Sequence, residues 1–146
     1  MIPTDVSVVI NQPVEKVFAY VTNWDNDTRW QSDLLESQQT SKGPLGVGTT
    51  GRRVQRFLGR RFESTNEITE YELNRKVGFR STSGPIRYDG SYTFESVEGG
   101  TKFTWATRAE TQGFFKITDA IGARMYKRQV DANLKNLKDL IEAEVG

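Results

Sequence analysis

A chain of 146 residues suits a single domain, 1–146, large enough to bury about two-thirds of the surface its unfolded form exposes. Its 20 basic and 19 acidic residues nearly cancel, which argues against nucleic acid as a partner and against an overall field that gathers anionic lipid. With no cysteine and no histidine, disulfides, thiolate nucleophiles, cysteine metal sites and every Ser-His or Cys-His mechanism are excluded.

The opening residues Met1-Ile2-Pro3-Thr4-Asp5 lack a basic and then apolar leader pattern, and no apolar run is long enough to span a bilayer. The expectation is a cytoplasmic protein with no integral membrane association. Residues 4–10 alternate loosely and are rich in β-branched side chains, which predicts a first strand. Asn11-Gln12-Pro13 supplies a turn and a proline suited to a first helical turn, and Val14, Val17, Phe18 and Val21 follow at helical spacing. A second short helix is predicted over 26–30, after Trp24, with Asp25 or Asn26 as its cap.

From 31 to 110 the period changes to two, punctuated by Gly43-Pro44, Gly46, Gly59, Gly84-Pro85 and Gly99-Gly100. Six strands fit, at about 31–39, 49–58, 61–71, 76–83, 86–96 and 102–111, and their short loops favour an antiparallel meander. One face of the 86–96 strand carries Ile86, Tyr88, Gly90, Tyr92 and Phe94; its other face is polar. Likewise Phe103, Trp105, Thr107 and Ala109 share a face, as do Phe62, Ser64, Asn66 and Ile68. Around 115–144 a long helix is predicted, with an apolar stripe of Val130, Leu134, Leu137, Ile141 and Val145. Its upstream half carries Ile117, Ala120, Ile121, Ala123 and Met125, with Gly122 as a weak interior point.

This order resembles the START/polyketide-cyclase-like (SRPBCC) helix-grip superfamily. The stretches that look like its bacterial polyketide cyclase/dehydrase-like members are Ile10-Asn11-Gln12-Pro13-Val14-Glu15-Lys16-Val17-Phe18, Trp24 with Trp30, Val77-Gly78-Phe79-Arg80-Ser81-Thr82-Ser83-Gly84-Pro85, and Tyr92-Thr93-Phe94-Glu95. The resemblance implies an α+β fold in which a seven-stranded curved antiparallel sheet wraps around the long C-terminal helix, with two short helices after the first strand. It also implies a cavity between sheet and helix for a small hydrophobic molecule such as a lipid, isoprenoid, quinone or polyaromatic compound. Its members include carriers, ring-closing enzymes and chaperone activators, so fold does not settle activity.

The covered face carries polar groups that core packing does not require: Ser64, Asn66, Tyr88, Tyr92, Trp105 and Thr107. With Phe79, Ile121 and Met125 they form the candidate ligand-binding set; for any one of them, ordinary core packing is the competing reading. Arg53 shares a face with Gln55 and Phe57, and if that face points inward it can anchor a carboxylate or enolate. The neighbouring cluster Arg52, Arg53, Arg56, Arg60 and Arg61 is followed by Glu63, Glu67, Glu70 and Glu72, so cross-strand charge pairing is favoured over a phosphate patch.

Among carboxylates, Asp25, Asp27 and Asp33 lie around the small helices, and Glu36 is the preferred candidate for a buried acid or base. No spacing assigns a catalytic set, and no metal or nucleotide motif is present, so neither metal nor cofactor is expected. Two readings compete with simple binding. One is a cyclase or dehydratase using Tyr88, Tyr92, Asn66 or Glu36 to position the reacting group. The other is a protein-interaction module, which the mixed charge of the long helix disfavours. The sequence leaves the oligomeric state open. A cavity under about 100 Å³ would be too small for the binding reading.

Overall fold

A computed structural model describes residues 2–57, 59–111 and 119–144. The first strand, β1 (Ile2–Ile10), leads into helix α1 (Val14–Thr22), a single 3-10 turn (Trp24–Asn26) and the one-turn helix α2 (Asp27–Trp30). Six strands follow: β2 (Leu34–Gln39), β3 (Thr50–Phe57), β4 (Arg60–Glu72), β5 (Lys76–Ser83), β6 (Ile86–Val97) and β7 (Gly100–Thr111), and then the long helix α3 (Asp119–Ala143). All seven strands form one antiparallel sheet in the order β1-β7-β6-β5-β4-β3-β2. The meander arises because each of the loops from β2 to β7 simply reverses the chain, and β1 joins its far end by pairing with β7, from Ile2 opposite Ala109 to Ile10 opposite Thr101.

One boundary differs from expectation: residues 31–33 are a turn rather than strand, and the strand begins at Leu34. Asn26, one of the two expected caps, stands at the N-cap of α2 without a side-chain capping bond, and the 3-10 turn before it is capped by Asn23, whose side chain accepts from the Asp25 N–H at 3.2 Å. The expected helical start at 115–118, the side chains of Phe114, Phe115, Ile117 and Val145, and Leu58 all fall outside the described residues.

The sheet curves because its long strands are interrupted by bulges: the register shifts between Leu34 and Glu36 on β2, and between Thr65 and Asn66 and again between Ile68 and Glu70 on β4. An extra residue on one strand bends it and increases its twist. The core lies within that curve and against the C-terminal half of α3. Val130, Leu134, Leu137 and Ile141 are buried there, in one cluster with Ile10 of β1, Val17 and Phe18 of α1, and Phe94 and Phe103 of the sheet. Fully burying side chains of this kind is worth roughly 1.5–3 kcal/mol each. The apolar stripe thus clamps the last four turns of α3 onto the sheet, and the N-terminal part of the helix carries a different lining.

Candidate functional site

Where the stripe gives way to Gly122, Tyr126 and Gln129, helix and sheet enclose a cavity of about 100 Å³, partly open to solvent. That volume stands at the lower limit for binding set out above. It is smaller than the 300–1,000 Å³ usual for drug-sized ligands and of the order of the ~150 Å³ that accommodates one benzene ring.

The walls are aromatic. Trp105 of β7 packs edge-on against Trp30 of α2 at 5.6 Å and against Tyr92 of β6 at 5.2 Å; Phe79 of β5 lies 4.9 Å from Tyr92 and 6.2 Å from Tyr88. Period-two alternation delivers these rings to one face, and the antiparallel register places Tyr92 opposite Trp105 and Val77. Such edge-to-face contacts hold the rings in place beyond what burial alone gives. At Gly51 of β3 a Cβ would come within 2.7 Å of the Trp24 ring and 2.8 Å of Asn66 Oδ1, so only glycine lets those two groups meet at the wall.

Of the sequence-derived set, Asn66, Phe79, Tyr88, Tyr92, Trp105 and Thr107 line the cavity. Asn66 donates to the Tyr88 oxygen at 3.5 Å, and Thr107 donates to that of Tyr126 at 3.1 Å. Ser64 is buried but does not line the cavity. Ile121 and Met125 point away, with exposures of 54% and 39%, and require correction. A helix advances 100° per residue, so the positions next to them, Gly122 and Tyr126, face inward instead. Counting from Val130 toward the N-terminus by fours reaches Tyr126 and Gly122, a signal already present in the stripe.

Arg53 faces inward with Gln55 and Phe57, and the bulge sits on the neighbouring β2 rather than on β3 itself. Its guanidinium donates to Gln31 Oε1 at 2.5 Å and lies 3.9 Å from Asp27 Oδ2, too far for a hydrogen bond. Burial works against its charge, but the oxygens of Tyr88, Tyr92, Asp27 and Asp33 outweigh that effect and hold its pKa above the ordinary value. Asp27 is itself only 4% exposed, and its Oδ2 accepts from the Ser37 hydroxyl at 2.9 Å. Burial pushes the Asp27 carboxyl up to about 7, against the opposing pull of Arg53 and Ser37. Burial likewise raises Tyr126 to about 12, opposed by the Thr107 hydrogen bond, and raises Tyr92 further, so both phenols act near neutral pH as hydrogen-bonding groups and not as bases.

A second polar layer backs this pair. Asn133 of α3, 1% exposed, accepts from the Ser32 N–H at 3.1 Å and from Gln129 at 2.9 Å and donates to Asp33 at 3.2 Å; Asp33 also accepts from Gln55 at 3.2 Å. The network ties the 31–33 turn to both helix and sheet and so fixes the position of Gln31. Glu36, the preferred carboxylate from sequence, points outward: its side chain is 50% exposed and pairs with Arg52 at 3.5 Å and Arg61 at 3.3 Å. The bulge beside it and the outward arginines account for that facing. The signal missed for Asp27 was its spacing, since Asp27, Trp30 and Gln31 stand at i, i+3 and i+4 and share one side of α2 with a buried tryptophan.

Of the arginine cluster, Arg52 and Arg61 are drawn into surface ion pairs: Arg52 Nε meets Glu63 at 2.6 Å and Arg61 meets Glu36, whereas Glu67 pairs with Arg80 and Glu70 with Lys76 at 3.1 Å, outside the cluster. Among the described residues no acidic group of three or more gathers as metal ligands, and no helix is long and apolar enough to cross a membrane.

Comparison with solved structures shows the same fold at low identity. A protein of Thermus thermophilus superposes with a TM-score of 0.84 at 19% identity over 97% of both chains. A START superfamily protein from Mycobacterium smegmatis gives 0.83 at 10% identity, covering 96% of this chain and 97% of that one. The Zhui aromatase/cyclase from Streptomyces sp. R1128 gives 0.79 at 13% identity, covering 96% of this chain and 93% of that one. No curated protein matches the sequence. The family described as polyketide cyclase/dehydrase and lipid transport matches residues 1–142, from β1 into the last turn of α3, and the chain belongs to that family.

Proposed function

We propose that the chain binds a small, ring-bearing hydrophobic molecule in the cavity between sheet and α3, with the ligand's polar group against Arg53. The observation that supports this most is an aromatic wall built around one guanidinium that is largely, but not fully, withdrawn from solvent. Among the described residues that group has a single hydrogen-bond acceptor, Gln31, so most of its five donors are open to a guest. The buried Gln31 Nε2 lacks a partner in the same way. At about 100 Å³ the interior suits roughly one ring, so a longer lipid, isoprenoid or polyaromatic guest would leave its remainder outside or displace the N-terminal part of α3. The test is native mass spectrometry of the purified protein after incubation with a hydrophobic cell extract. A retained mass that is lost in Tyr92→Ala supports the reading, and absence of any retained compound across extracts sinks it.

Asp27 favours a second reading. A carboxyl that titrates near neutral pH beside a fixed cation can pass a proton to or from an enolisable ligand, as a cyclase or dehydratase requires. Once a turnover is in hand, full activity in Asp27→Asn would remove this reading and leave simple binding.

A further inference from the structure

Asp27 is buried and Arg53, with its side chain 14% exposed, lines the same cavity, yet they do not clasp each other. The gap is 3.9 Å, Asp27 Oδ2 is engaged by Ser37, and Arg53 spends one N–H on Gln31. A buried ion pair without close hydrogen bonds recovers little of its desolvation cost. A ligand carboxylate can instead take the guanidinium in a two-pronged, charge-assisted contact that Asp27 does not make. It would then stand a few ångströms from the Asp27 carboxylate, and two negative charges that close raise the pKa of the weaker acid.

We propose that the cavity selects a ligand bearing one acidic group, a carboxylate or enolate, and that its binding is coupled to uptake of one proton by Asp27. The inference rests on the binding reading above and adds to it the charge of the ligand and a proton. Asp27 carries the proton because burial already brings its titration to about 7, within reach of a modest further push. The other ionisable groups facing the pair are Asp25 on the preceding turn, Tyr20 of α1, Tyr92 and Tyr88 of β6, and Asp33. Burial raises Tyr20 and Tyr92 above the ordinary tyrosine value, and Asp33 is already held by Asn133 and Gln55.

The experiment compares benzoate, one ring in size, with benzyl alcohol, an uncharged molecule of similar shape. Trp24 and Trp105 stand at the cavity wall as fluorescence reporters, and calorimetry is run in two buffers of different ionisation enthalpy. For benzoate the affinity should be flat from about pH 5 to about pH 6 and weaken by up to about tenfold per pH unit above about pH 7, with uptake approaching one proton near pH 8. The alcohol should show neither effect. In Asp27→Asn the benzoate profile should become flat over the same range and the proton uptake should vanish. If that variant does not fold, the two-buffer calorimetry on the unaltered protein decides alone. Benzoate binding without proton uptake, or with the alcohol's pH profile, overturns the inference. So does binding of the alcohol alone, which leaves the cavity reading standing, whereas binding of neither compound overturns both.

Discussion

Replacing Asp27 by asparagine should stabilise the protein, and by more as the pH rises. The folded carboxyl titrates at about 7 against 3.8 for its ordinary value, so between those limits the folded state holds a proton that the unfolded chain has lost. A raised carboxylate pKa therefore contributes most below about pH 4, and the contribution is lost as the pH climbs through about 7. At about 1.4 kcal/mol for each tenfold change in acidity, the full loss is of the order of 4 kcal/mol. Asparagine has the shape of the protonated acid, keeps an oxygen for the Ser37 hydroxyl, and never charges. The gain of Asp27→Asn over the unaltered protein should thus widen by about 2 to 3 kcal/mol between about pH 5 and about pH 8. Urea denaturation of both proteins at several pH values measures this directly, since the contributions of all other groups cancel in the difference. A gain that stays constant, or shrinks as the pH rises, would show that the carboxylate is well paired by Arg53 and that the desolvation argument is wrong.

Asn133→Leu should cost about 1 to 2 kcal/mol despite its similar volume, because it removes the acceptor of the part-buried Ser32 N–H and the donor to Asp33; thermal denaturation reads it. Gly100→Ala should cost more than about 1 kcal/mol and lower the melting temperature, since the residue has φ +132° and a Cβ there would stand 2.1 Å from the Ile10 carbonyl oxygen, where β1 meets β7. Glu36→Gln should change stability by less than about 1 kcal/mol and leave ligand retention intact, because its two ion pairs are exposed; loss of retention would place Glu36 at the cavity after all.

Much of the architecture was legible from residue patterns alone. Alternation along 86–96 and 102–111 assigned Tyr88, Tyr92, Trp105 and Thr107 to the covered face, because a strand has only two faces and a sheet beside a core wets only one. The stripe from Val130 to Ile141 similarly announced which side of α3 meets the sheet. Weak stretches of pattern were misleading. Ile121 and Met125 are apolar yet exposed, and only the phase of the strong stripe, carried backward, indicates Gly122 and Tyr126.

What the chain determines by itself is local: which residues alternate, where glycine and proline turn the backbone, and which side of each element is apolar. The pairing of Asp27 with Arg53 belongs to the tertiary structure. One residue sits on a single helical turn and the other on a strand 26 positions later, and each is charged and common at surfaces. Their burial follows from a bulge in β2, a turn at 31–33 held by Asn133 of the distant helix, and the curvature that brings those parts together. Charge and distance act through space, so the acidity of Asp27 and the open donors of Arg53 exist only once the sheet has closed around the helix.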